Sequence, residues 1–100
     1  MTQPAKLTLE QQRKRGEDAL RLLTSPVMED AFKAVKERYL KMFLGSKPEE
    51  TDLREQLYLS ANALEDVRSQ LRAHVRDGGI ANTKLASAVK IDKKAKEMLG

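Results

Sequence analysis

The stretch from Leu53 to Val75 constrains this chain more than any other. Leu53, Leu57, Leu64, Val67 and Leu71 recur at alternating steps of three and four, with Ser60 and His74 on the same seam. That alternation is one face of a long amphipathic helix. The residues facing away from it, among them Arg54, Glu55, Glu65, Arg68, Arg72 and Arg76, are charged. Such a helix needs an apolar partner, and the preceding segment offers one. Met28, Phe32, Val35, Tyr39 and Met42 step by four, three, four and three, with Ala31 and Phe43 beside them.

Helix ends are legible around both segments. Ser25 before Pro26 reads as an N-cap followed by a proline at the first helical position, where the missing N–H costs nothing. Glu29 and Asp30 then fall in the first turn, which the helix dipole favours. Gly45-Ser46-Lys47-Pro48 predicts a left-handed glycine cap and a short turn, with Ser46 and Glu49 as a capping box for the next helix. A connection that short predicts antiparallel neighbours. Upstream, Thr8 with Gln11 is another capping box, so a first helix is expected over 9–23. Gly16 in its middle costs about 1 kcal/mol relative to alanine and predicts a loose or kinked helix.

Asp77-Gly78-Gly79 reads as the stop of the long helix. Beyond it Ile80, Leu85, Val89, Ile91, Met98 and Leu99 are dispersed without a sustained period, among Lys84, Lys90, Lys93, Lys94 and Lys96. The expected architecture is all-α: a helical domain over 1–77, with helices at about 9–23, 26–44 and 47–77. The last two form a long antiparallel hairpin, the first is looser, and residues 78–100 are a mostly irregular basic tail.

With no tryptophan, two Phe and two Tyr among 100 residues, a core must come from Leu, Val, Met and Ala. A thin helical assembly suits that inventory better than a sandwich or barrel. The absence of cysteine excludes disulfides and thiolate metal sites. No apolar run approaches the roughly 18 residues that span a bilayer, and Met1 to Lys6 lacks the apolar core of a secretory signal. The expected setting is therefore cytoplasmic, with no membrane partner.

Catalytic chemistry has little to stand on. His74 is the one histidine and sits on the apolar seam near an expected helix end; Glu49, Glu50 and Asp52 crowd a helix start, which is a dipole pattern. The phosphate-binding, dinucleotide and nucleophile-elbow glycine motifs are absent. Neither an enzyme nor a cofactor is expected.

Two basic clusters, Arg13, Lys14 and Arg15 and then Lys90, Lys93, Lys94 and Lys96, are candidate phosphate contacts and make DNA a candidate partner. The net charge of +4 is a mild excess, no aromatic residue is interleaved for base stacking, and no helix-turn-helix pattern appears. Protein contact is the stronger inference. Leu53, Leu57, Leu64, Val67, Leu71, Ile80, Leu85, Val89 and Ile91 are the candidate interface residues, because a two-helix hairpin covers only one face of each helix.

The run Arg15-Gly16-Glu17-Asp18-Ala19 through Leu22-Leu23, then Ala31-Phe32, Tyr39, Leu40 and Arg54-Glu55-Gln56-Leu57-Tyr58, with the expected helix end before Gly78-Gly79, resembles small helical gene products of tailed bacteriophages. The resemblance covers roughly residues 13 to 80. It implies a role in virion assembly, head or tail attachment, or packaging, in the host cytoplasm or the virion. The partners it implies are other copies of the chain or a larger phage structural protein. The alternatives it leaves are a DNA-binding packaging or regulatory factor similar to a small terminase subunit, and an inhibitor of a host protein.

Overall fold

The computed structural model describes residues 6–99. They form three helices, α1 (Leu9–Leu23), α2 (Pro26–Gly45) and α3 (Thr51–Leu99), with no strand among the described residues. The protein is all-α. The composition of residues 1–7 predicts a flexible lead, of which residues 1–5 lie outside the described residues.

Local chemistry sets the first two helix starts as the sequence indicates. Thr8 Oγ1 accepts from the Gln11 N–H at 3.1 Å, while Gln11 Oε1 accepts from the Thr8 N–H at 2.9 Å, closing a reciprocal capping box. Ser25 Oγ accepts from the Met28 N–H at 3.4 Å, and Pro26 opens α2. The α2–α3 turn is built differently from expectation. Gly45 has no positive φ and belongs to α2. The Ser46 hydroxyl donates to the Phe43 carbonyl, closing α2 instead of opening α3. Glu50, not Glu49, folds back, accepting from the Lys47 N–H at 2.9 Å. Arg54 then fastens the turn: its Nε donates to Ser46 Oγ at 2.9 Å, and its guanidinium sits 4.9 Å from the Phe43 ring centroid.

The larger correction concerns α3. It is 49 residues long and runs through Gly78 and Gly79 to Leu99, so the segment expected as an irregular tail is helix. A glycine in a helix costs only about 1 kcal/mol, which neighbouring contacts readily offset. Continuing the three–four alternation from Leu71 leads to His74, Gly78, Ala81 and Leu85, so the seam crosses the glycines without a phase break.

Along this seam α2 and then α1 lie end to end. Phe43 meets Arg54, Lys36 Nζ lies 3.5 Å from Glu65 Oε1, and the Arg68 guanidinium stands 5.3 Å from the Phe32 ring centroid, so α2 runs antiparallel to the first part of α3. Only Thr24 and Ser25 separate α2 from α1. Gly16 approaches the His74 carbonyl and Gly78 the Gln12 carbonyl, so α1 also runs antiparallel to α3, continuing in α2's direction against the stretch around Gly78.

This is where the helices come closest. A Cβ built on Gly16 would lie 2.8 Å from the Gly78 Cα and 2.8 Å from the His74 carbonyl oxygen; one on Gly78 would lie 2.7 Å from the Gly16 Cα and 3.0 Å from the Gln12 carbonyl oxygen. The two backbones touch, which only glycine permits. Ala19 and Ala81 are buried on either side. The first helix, expected to be the loose one, holds Gly16 and Ala19 buried, whereas α2 buries no residue.

The result is a rod two helices thick, 77 × 35 × 17 Å in extent. At 1.5 Å per residue α3 alone accounts for about 73 Å of that length.

Adjacent glycines should therefore respond with opposite signs. Gly78→Ala drives a methyl into the α1 backbone and is expected to destabilise the fold by about 1–3 kcal/mol. Gly79 has nothing within 4 Å of a built Cβ, and Gly79→Ala should stabilise the chain by about 0.5–1 kcal/mol. Urea unfolding followed by circular dichroism at one protein concentration measures both.

Candidate interaction surface

The interface candidates on α3 divide by exposure. Leu53, Leu64, Leu71 and Leu85 are half-buried on the seam, and Leu57 is buried at 6% exposure between α2 and α3. These five residues hold the chain's own helices. Val67, Ile80, Val89 and Ile91 are exposed, the last at 70%.

The outward apolar surface extends beyond the residues the sequence singled out. Leu40 at 56% and Tyr58 at 65% exposure, with Phe43, line an open groove between α2 and α3 floored by Tyr39, Leu57 and Ala61. Helical periodicity missed Tyr58 and Leu40 because each lies one step off its seam. The available signal was a second apolar position beside the stripe, Leu57-Tyr58 and Tyr39-Leu40. Beyond Leu85 no partner helix remains among the described residues, and every residue from Ala86 to Leu99 is exposed. Val89, Ile91, Met98 and Leu99 thus stand on a helix that projects past α1.

Overall exposure makes the same point quantitatively. The chain exposes 8419 Å², whereas a compact monomer of 11.3 kDa exposes roughly 5,700 Å². Its radius of gyration is 21.3 Å against about 13 Å for a compact 100-residue domain.

The basic candidates are not gathered into one site. Arg13 is engaged by Glu10 and Glu17 on α1, and the hydrogen bonds it donates to Glu10, with the negative fields of Glu10 and Glu17, raise the guanidinium above its ordinary pKa. Lys14 Nζ lies 3.8 Å from Asp18. Two of the three cations in that cluster are therefore matched by carboxylates on their own helix. Arg15 lines an open cleft beside the α1–α3 crossing with Gln12, His74, Asp77 and Lys84. On the projecting helix Lys96 lies 3.5 Å from Asp92, while Lys90, Lys93 and Lys94 are exposed and make no ion pair among the described residues.

His74, half-buried, lends its carbonyl to the glycine crossing. Arg68 is partly drawn into the α2–α3 seam, where its Nε is buried without a hydrogen-bond partner and its charge rests over Phe32. Among the described residues no group of three or more His, Cys, Asp or Glu is placed to hold a metal ion. No helix of the described residues is long and apolar enough to cross a membrane.

No family model, curated protein or solved structure matches the chain.

Buried and exposed positions separate by mutation. Leu57→Ala should cost about 2–5 kcal/mol by opening the α2–α3 seam. Val67→Ala, at an exposed position, should change single-chain stability by no more than about 0.5 kcal/mol. Thermal unfolding of both variants beside the parent chain checks this.

Proposed function

We propose that this chain is a non-enzymatic structural or accessory protein of a bacteriophage particle or its assembly, and that it acts through helix-mediated protein–protein contacts. One observation carries the interaction reading: the apolar surface left outside the fold. A rod with Leu57, Ala19 and Ala81 as its only buried apolar side chains among the described residues, and with Leu40, Tyr58, Ile91 and Met98 exposed, has not completed its core. Exposed apolar surface on that scale marks an interaction site. The phage setting rests on the resemblance of residues 13–80 to small helical phage gene products. The hairpin of α2 with the first part of α3 is the surface that would pack against other copies or a larger structural protein, and the projecting basic helix is the element that would clip onto a neighbour.

A DNA-binding role is the second reading, favoured by the exposed Lys90, Lys93 and Lys94 on one free helix. Internal pairing of Arg13, Lys14 and Lys96 weakens it, since three of the seven candidate phosphate contacts are already matched by carboxylates.

Light scattering of the purified chain, with and without duplex DNA, tests these readings. The expected result is a discrete oligomer whose mass DNA does not change. A monomer that shifts only with DNA, and less so as salt rises, would move the assignment to the nucleic-acid reading, because phosphate contacts are lost as counterions compete.

A further inference from the structure

The α2–α3 turn and the projecting end of α3 carry opposite charge. Residues 47–55, at the α2–α3 turn, hold four carboxylates (Glu49, Glu50, Asp52, Glu55) against Lys47 and Arg54, net −2. Residues 84–99 hold five lysines against Asp92 and Glu97, net +3. Arg54 is occupied with Ser46 and Phe43, whereas Glu49, Asp52 and Glu55 make no ion pair among the described residues. Apolar surface lies at both ends: the groove of Leu40, Phe43 and Tyr58 near the acidic tip, and Ile91 and Met98 on the basic helix.

Both ends also present the same side of α3. At 100° per residue, Glu55, Tyr58, Asp66, Lys84, Ile91 and Lys94 fall within about 80° of one another, turned away from the seam of Leu57, Leu71 and Gly78. All six are exposed.

We infer that the occupant of this face is a second copy of the chain, lying antiparallel, with residues 86–99 of each copy docked on the Leu40–Phe43–Tyr58 groove of the other. Full overlap of two antiparallel helices spanning residues 51 to 99 sets opposite each other the residues whose numbers sum to 150. Tyr58 then meets Ile91, Glu55 meets Lys94, and Asp66 meets Lys84. The two-fold axis repeats each contact, so both charged ends are matched and the assembly closes without leaving a free end to propagate. A parallel pair would set like charge against like at both ends. The area agrees: the chain exposes about 2,700 Å² more than a compact monomer of its mass, of the order that each partner of an obligate dimer buries.

This inference rests on helix-mediated association, and cysteine cross-linking tests it separately. The chain has no cysteine, so Tyr58→Cys and Ile91→Cys introduce the only thiols. Within one chain these positions are about 50 Å apart along α3 and cannot join. In the antiparallel pair the double variant should oxidise to a disulfide-linked dimer, while neither single variant should, because like positions also lie about 50 Å apart. As a second measurement, Glu55→Lys should raise the dimer Kd about fivefold, and adding Lys94→Glu should restore it. A discrete oligomer in which the double variant fails to cross-link, or either single variant succeeds, overturns the antiparallel pairing and leaves helix-mediated association standing. A chain that is monomeric with and without DNA overturns the pairing alone. A monomer that takes up duplex DNA in a salt-sensitive way overturns both.

Discussion

Everything in this fold depends on two glycines touching. At Gly16 and Gly78 the backbones of α1 and α3 approach so closely that a methyl on either would collide with the other's main chain. That contact anchors α1, and α1 in turn covers the stretch of α3 that would otherwise be a bare helix with two glycines in its middle. The helix-weakening residue and the covering element need each other: glycine makes room for α1, and α1 supplies the packing that lets α3 pass through glycine. Where α1 ends, so does the cover, and α3 continues exposed from Ala86 to Leu99.

The seam is graded along the rod. Around the glycines it is narrow and built from small residues, with Ala19 and Ala81 buried beside the crossing. Toward the α2–α3 turn it widens into Leu, Phe and Tyr side chains and a long arginine, Arg68, whose charge rests on an aromatic face. Larger side chains hold the helices farther apart, which leaves Leu40 and Tyr58 partly outside. One geometry excludes solvent at the cost of conformational freedom, and the other leaves a groove. The apolar surface that supports a partner-binding role is a direct consequence of that grading.

Charge is likewise distributed by helix and not by site. The Arg13 and Lys14 side chains are matched within α1 by carboxylates three or four residues away, an arrangement that stabilises the helix surface and leaves little for a ligand. Lysines on the projecting helix have few such neighbours, and the acidic turn lies at the far end of the rod. The separation is a property of length: a globular chain of the same composition would bring these ends together, whereas α3 holds them apart.

Much of this was legible in the residues. The helical class, the ends of α1 at Thr8 and of α2 at Ser25-Pro26, and the seam from Leu53 to Leu71 all follow from short-range rules of capping and period, which depend on a few neighbours in sequence. What failed was the reading of Gly16 as a weakness and of Gly78-Gly79 as a stop. Leu9, Gln12, Gly16, Ala19 and Leu23 on α1 share the three–four step of Leu71, His74, Gly78, Ala81 and Leu85 on α3, but small and polar residues do not register as an apolar stripe. A glycine reads locally as freedom and tertiarily as closeness. Only the partner backbone, more than sixty residues away in sequence, decides which, because the cost of glycine is intrinsic to the helix while its benefit exists only when another helix fills the space that the missing side chain leaves.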